Sequence, residues 1–528
     1  MPQPPIYFQL GEASLSTALA LQMTRGELKG TFSASTRKAV QNSARHVDLI
    51  VDRGDPVYGI NTGFGPLCTT KISKEATQKL QTNILQSHSV GVGPPISNEL
   101  AKLMLVLKVH ALAKGYSGIR LATLNRILWH IENDAIPVVP AQGSVGASGD
   151  LAPLSHLFLP LIGMGKVSFE GELITTERLF DKTGLAALEL APKEGLALIN
   201  GTQFIAAHAA LALEKFHNCL RQADVIGAMM LEGLQGSIRP FAKKLHELRP
   251  FVGNQHVAGR IRTLLAGSEI LENHIDCERV QDPYSLRCIP QVHGASRNAW
   301  IHLKKLLETE LNSVTDNPVI LDSTSAISGG NFHGQPLAMA LDYAALAAAE
   351  LGNISDRRIY LALEGGHGVP QLLMQDTGIN SGYMMLQYTS AALVSENKSL
   401  CFPASADSIP TSLGQEDHVS MGSISGRKML TILENVEKIL AIELLTAAQA
   451  FEYRKPLKSG ILLDKVHQLL RAKVPFAAED RVFAEDIAIA IDVIRSGEII
   501  RSIETLMSEK NMIWDTPFSN DFELFRWQ

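Results

Sequence analysis

The sequence predicts a mainly α fold: a long central helix bundle with polar loops gathered at the helix ends. Three observations predict it. Segments 201–235, 334–363 and 427–453 are long, apolar and spaced as helices. Alanine-rich faces such as MALDYAALAAAELG permit close packing with axes near-parallel. Only 19% of the residues are charged, so helices bury more than one face, in a large core or a subunit interface.

Taken in order, the first sixty residues predict a short strand or turn region followed by helices. The run DRGDPVYGINTGFGP, 52–66, holds four glycines and two prolines and reads as a long loop. Helical spacing returns over 73–132, as in LAKLMLVLKVHALAKG, with Gly115 as a stop signal. A second irregular stretch, 136–150, ends in GSVGASGD before an apolar helix, and 163–174 reads as a hairpin. The long helices follow, joined by QDPYSLRC, SGGNFHGQ and GQEDHVSMG, and a more charged helical cap begins at Lys455. This organisation divides the chain into 1–200, 201–454 and 455–528.

A chain of 528 residues can bury a large core without staples. The net charge of −6, with no block of like charge, argues against nucleic-acid or membrane-surface partners. The apolar runs look interrupted by charge before a membrane-spanning length is reached. Five cysteines (Cys68, Cys219, Cys277, Cys288, Cys401) form no C-x-x-C pair and read as reduced thiols in a cytoplasmic protein. Sixteen histidines include no H-E-x-x-H or close Cys/His group, so no metal is expected, and His333 and His367 read as solvated loop histidines.

Ala147-Ser148-Gly149-Asp150 admits three readings. Locally, Ser148 or Asp150 caps the apolar helix that follows. A serine hydrolase would need the G-x-S-x-G elbow, which is absent. The third reading is cyclisation. If the Gly149 nitrogen attacks the Ala147 carbonyl and water is lost, a five-membered ring closes; loss of a second water from Ser148, its hydroxyl and α-hydrogen, then leaves an electrophilic methylidene. Only glycine lets a backbone nitrogen fold back so closely.

The loop Tyr58-Gly-Ile-Asn-Thr-Gly-Phe-Gly reads as a movable lid with a phenol that can exchange a proton. Gln281-Asp-Pro-Tyr-Ser-Leu-Arg reads as a helix start with Asp282 at the cap and Pro283 in the first turn. Gln281, Tyr284 and Arg287 would then share one face, and a guanidinium near a helix start suits a carboxylate.

GASGDLAPLSH resembles the signature of the aromatic amino-acid ammonia-lyases and aminomutases, whose prosthetic group is methylidene-imidazolone (MIO). Further similar strings follow in order: YGINTGFG from Tyr58, SHSVGVG from Ser87, INGTQ from Ile199, QDPYSLR from Gln281, GGNFHG from Gly329 and QEDHVSM from Gln415. The resemblance implies the family's helical fold, homotetramers with active sites drawn from more than one chain, and MIO made from Ala147, Ser148 and Gly149 with no external cofactor. It assigns β-proton removal to Tyr58 and the substrate carboxylate to Arg287. Gln281 and Tyr284 are placed near the MIO, with Asn200 and Phe332 holding or packing against it.

Two positions discriminate among substrates within the resemblance. Relatives acting on tyrosine or phenylalanine tend to have His-Leu or Phe-Leu where this chain has Ser87-His88, and Gln where it has Glu416. Ser-His and Q-E-D-H resemble the histidine ammonia-lyases. An imidazole offers an N–H and takes positive charge easily, so a buried carboxylate is a good partner. In isolation, Glu416 reads as a helix cap and His88 as a core histidine. Four alternatives stay open: a tyrosine or phenylalanine ammonia-lyase, a 2,3-aminomutase, a Ser148 hydrolase, and an inert helical scaffold.

Overall fold

The computed structural model describes residues 7–54, 56–67, 69–70, 72–146, 148–274 and 280–525. Ala147, Cys68 and Cys277 lie outside the described residues. The chain is mainly α, as its sequence predicts, and divides into two compact units.

The first unit comprises residues 1–211, 303–342 and 403–427. Serines start several of its helices: Ser33, Ser73 and Ser97 accept from the amide three residues on and so cap Ala34–Arg53, Lys74–His88 and Asn98–Leu112. The hairpin expected near 163–174 forms from strands Lys166–Phe169 and Glu172–Thr175, with Val167 opposite Ile174. Strands Val92–Pro95 and Pro140–Gln142 pair antiparallel. Helices Lys74–His88, Leu151–Phe158 and Glu194–Ile199 pack against one another and bring the ends of three loops together.

The second unit comprises residues 212–302, 343–402 and 428–528. It takes the residues after 211 of helix Gln203–Gly233, and those after 342 of helix Gln335–Leu363. On the alanine-rich helix the Ser296 hydroxyl donates to the Ala347 carbonyl at 2.8 Å. Charge is buried here rather than missing. Asp224 accepts from Arg260 at 2.8 Å, Arg297 at 2.7 Å and His293 at 3.0 Å, all four side chains being buried. The arginines and His293 hold its carboxyl far below the usual carboxylate range against the cost of burial.

Two sequence expectations need correction. Helix Gln335–Leu363 is long and apolar enough, by length and composition, to cross a membrane, although 67% of its most apolar window is buried inside the protein. Asp282 does not cap the helix that follows it. The helix is the single turn Tyr284–Arg287 with Pro283 in the cap position, while the Asp282 carboxylate accepts the Ser237 amide at 2.6 Å.

Candidate active site

In the first unit, a cavity of 560 Å³ is lined by Tyr58, His88, Ser148, Asn200 and Glu416, together with Phe64, Leu80, Ile84, Leu151 and Leu196. Five of the residues that the sequence singles out therefore share one space. The three packed helices supply much of its apolar wall, and the polar groups arrive on the loops at their ends.

Ser148 sits where two of these loops meet. Its hydroxyl donates to Glu416 Oε1, and its carbonyl accepts from Asn200 Nδ2 at 2.7 Å. Gly149 has φ +80°, and a Cβ there would fall 2.2 Å from the Gly201 carbonyl oxygen, so no other residue fits. The neighbouring Asp150 amide donates to that same carbonyl at 2.7 Å. The structure thus presses 148–150 onto 200–201 with no side chain between them. Among the described residues Asn200 Oδ1 is buried without a hydrogen-bond partner. This cradle fits a small planar ring built from 147–149: it holds the Ser148 carbonyl, excludes bulk at 149 and leaves one acceptor unused.

Asp150 does not act as the local cap that the sequence suggests. It stands at the start of helix Leu151–Phe158 but makes no side-chain cap to it. Its buried carboxylate instead accepts the Phe204 and Ile205 amides at 3.0 Å each and the Ser144 hydroxyl at 2.8 Å. Burial raises its pKa to about 7, while those three donors pull it back.

Glu416 is held by a closed turn. Thr411 and Glu416 exchange backbone hydrogen bonds of 2.9 and 3.3 Å, and the Thr411 hydroxyl donates to Glu416 Oε2 at 2.7 Å. His88 ends helix Lys74–His88 with its Nδ1 2.9 Å from the Ser87 hydroxyl. Burial lowers its pKa, whereas the Ile84 carbonyl and the Glu416 charge raise it. The Tyr58 hydroxyl accepts the Gly65 amide at 3.3 Å, which folds its loop over the cavity. The turn Gly65–Leu67 of that loop meets the turn Ser412–Gly414 ahead of Glu416.

The remaining expected residues stand elsewhere. Phe332 belongs to the first unit and is half-buried, but it does not line the cavity. His333 is no free loop histidine; it stacks on His418 with ring centroids 5.4 Å apart. Gln281, Tyr284 and Arg287 belong to the second unit. Tyr284 is 71% exposed, and the Arg287 guanidinium lies 4.6 Å over its ring. Gln281 is exposed and precedes the helical turn rather than sharing its face. Arg287 Nε has no hydrogen-bond partner among the described residues. Those residues contain no group of three or more His, Cys, Asp or Glu spaced for a metal.

Comparison with known proteins gives a consistent answer. The family model for aromatic amino acid lyases matches residues 15–472. A histidine ammonia-lyase of Sorangium cellulosum (strain So ce56) is 49% identical over 478 residues, 88% of this chain and 93% of that protein. The crystal structure of histidine ammonia-lyase from Trypanosoma cruzi matches with a TM-score of 0.88 and 39% identity, over 98% of this chain and 97% of its own. The tyrosine aminomutase from Streptomyces globisporus matches with a TM-score of 0.89 and 34% identity, over 95% of this chain and 99% of its own.

Proposed function

The chain belongs to the aromatic amino acid lyase family, and from that membership we propose that it removes ammonia from L-histidine, leaving trans-urocanate. It is an ammonia-lyase. The observation that most supports histidine is Glu416, a carboxylate held by Thr411 against Ser148 in a mostly apolar cavity. An imidazole ring can donate to that carboxylate, whereas a phenyl ring would leave it poorly paired at a cost of a few kcal/mol. The tyrosine aminomutase shares 34% of its residues with this chain, less than the histidine ammonia-lyases at 49% and 39%.

A methylidene-imidazolone formed from Ala147, Ser148 and Gly149 would supply an electrophilic carbon for the substrate amine. The chain's own residues do the rest. Asn200 Nδ2 holds the Ser148 carbonyl oxygen and steadies negative charge gathering there. The Tyr58 phenol lies in the cavity wall and takes the substrate β-proton on its oxygen. Glu416 orients the imidazole, with His88 beside it. Arg287, with Gln281 and Tyr284, receives the carboxylate end and the ring's surroundings, and Phe332 packs nearby. These four stand outside the cavity lining of a single chain, and the homotetramer that the family resemblance implies, with sites drawn from several chains, would bring them to the pocket. Cys219, Cys288 and Cys401 form no disulfide among the described residues, which suits a cytoplasmic home.

A substrate panel tests the reaction. Incubation with L-histidine should give urocanate absorbance and ammonia in equal amounts. Turnover of tyrosine or phenylalanine with none of histidine would overturn the assignment.

A further inference from the structure

The run LMLVLKVHAL forms the C-terminal two-thirds of helix Asn98–Leu112, in which every residue from Leu100 to Leu112 is buried. Lys108, in that run, is only 1% exposed. Its ammonium donates to the backbone carbonyl of Asn200 at 2.6 Å, its one hydrogen bond among the described residues. The nearby carboxylates are already engaged. Asp316 accepts from Lys193 at 2.6 Å and from Ser117 at 2.9 Å, and Asp150 is occupied by its two amides and Ser144. Burial lowers the Lys108 pKa to about 7, against the pull of Asp316 and Asp150. A lysine that gives up this much hydration to serve one carbonyl needs a reason at that carbonyl.

The reason lies one side chain away. Asn200 caps the C-terminus of helix Glu194–Ile199, and its amide is the group that holds the Ser148 carbonyl. Every neighbour on its C-terminal side is clamped as well. The Gly201 carbonyl takes the Asp150 amide, the Thr202 hydroxyl donates to Glu310, and the Gln203 side chain donates to Thr315 at 2.8 Å. Lys108 is the clamp on Asn200 itself.

We propose that Lys108 is a positioning residue for the reaction, its ammonium holding the Asn200 carbonyl so that the Asn200 amide stays aimed at the Ser148 carbonyl. The proposal rests on the ring-forming reading of 147–149. Loss of Lys108 lets the Asn200 peptide turn toward other donors, and a displacement of about 1 Å at such a group can cost on the order of a hundredfold in rate. Substrate contacts are untouched, so the loss falls on kcat and not on KM.

The test uses the full-length chain and its Lys108→Met, Lys108→Gln, Asn200→Ala and Lys108→Met/Asn200→Ala variants. Intact mass and histidine kinetics are read on each. The wild type should lack two waters relative to its sequence; one that keeps both would remove the ring reading on which the proposal stands, whatever the variants do. Given a processed wild type, Lys108→Met should retain unprocessed chain and lower kcat by about ten- to a hundredfold with KM within about twofold. In the Asn200→Ala background the same substitution should cost almost nothing more, because the two act as a unit. Lys108→Gln keeps a donor and should recover part of kcat. A fully processed Lys108→Met protein with wild-type kcat overturns the proposal. So does an equal loss in both backgrounds, or equal losses for Met and Gln, which would mark a merely structural lysine.

Discussion

Ser148 gives its hydroxyl to Glu416 and its carbonyl to Asn200, so substitutions at these residues separate the parts of the site. Ser148→Ala removes the atom that must leave for a methylidene to form; turnover should fall by at least about a thousandfold, with the unfolding transition unchanged. Glu416→Gln keeps the shape but loses a charged partner for the imidazole, and should cost about ten- to a hundredfold in histidine turnover. Unchanged turnover would remove its role. Asp150 gives a pH signature. Its pKa in the fold, about 7, lies above the ordinary carboxylate value, so its contribution to stability is complete below about pH 4 and is lost as pH rises toward 7. Asp150→Asn should flatten the urea-unfolding midpoint across that window, and an unaltered slope would count against this. Ser148, Asn200 and Glu416 are legible in the sequence because each stands in a distinctive string. The partners of Asp150 are not, since its amide donors lie 54 and 55 residues further on. Lys108 looks like one polar interruption of an apolar helix until its carbonyl partner, 92 residues away, is seen.

Helix limits follow the sequence closely where the apolar period is long. The expected segments 201–235, 334–363 and 427–453 form as Gln203–Gly233, Gln335–Leu363 and Gly422–Glu452. Short polar elements are harder to read, as Asp282 shows: cap chemistry within a few residues loses to a donor brought in by packing. Helix Glu194–Ile199 gives an element-scale prediction, because Asn200 hangs from its end. A Cβ at Gly195 would fall 2.4 Å from the Gln81 carbonyl, which fixes how closely this helix approaches Lys74–His88. Gly195→Ala should push the two apart and lower stability by about 1–3 kcal/mol, read as a drop in the calorimetric midpoint. Because Asn200 moves with the helix, kcat should fall too. A variant as stable and as active as the wild type would show that the contact is slack.

For the molecule as a whole, low charge and apolar helices go with large apolar side chains left exposed on the single chain. In the second unit Tyr388 and Phe402 are 59% and 82% exposed, and Tyr343, Leu346 and Met385 are also exposed. The homotetramer proposed above would cover such surfaces. If sites are shared, inactive Arg287→Ala and Glu416→Ala chains co-expressed in equal amounts should recover about a quarter of wild-type activity per site. No recovery from a stable mixed oligomer would place both residues in one chain's site. The proposed chemistry stands or falls with an electrophile made from Ala147, Ser148 and Gly149, and the intact mass of the purified wild-type protein reads that electrophile out. The wild-type chain should be lighter than its 528-residue sequence by two waters, with the deficit confined to the peptide carrying 147–149. A mass equal to that of the unmodified sequence, in protein that turns over histidine, would contradict it.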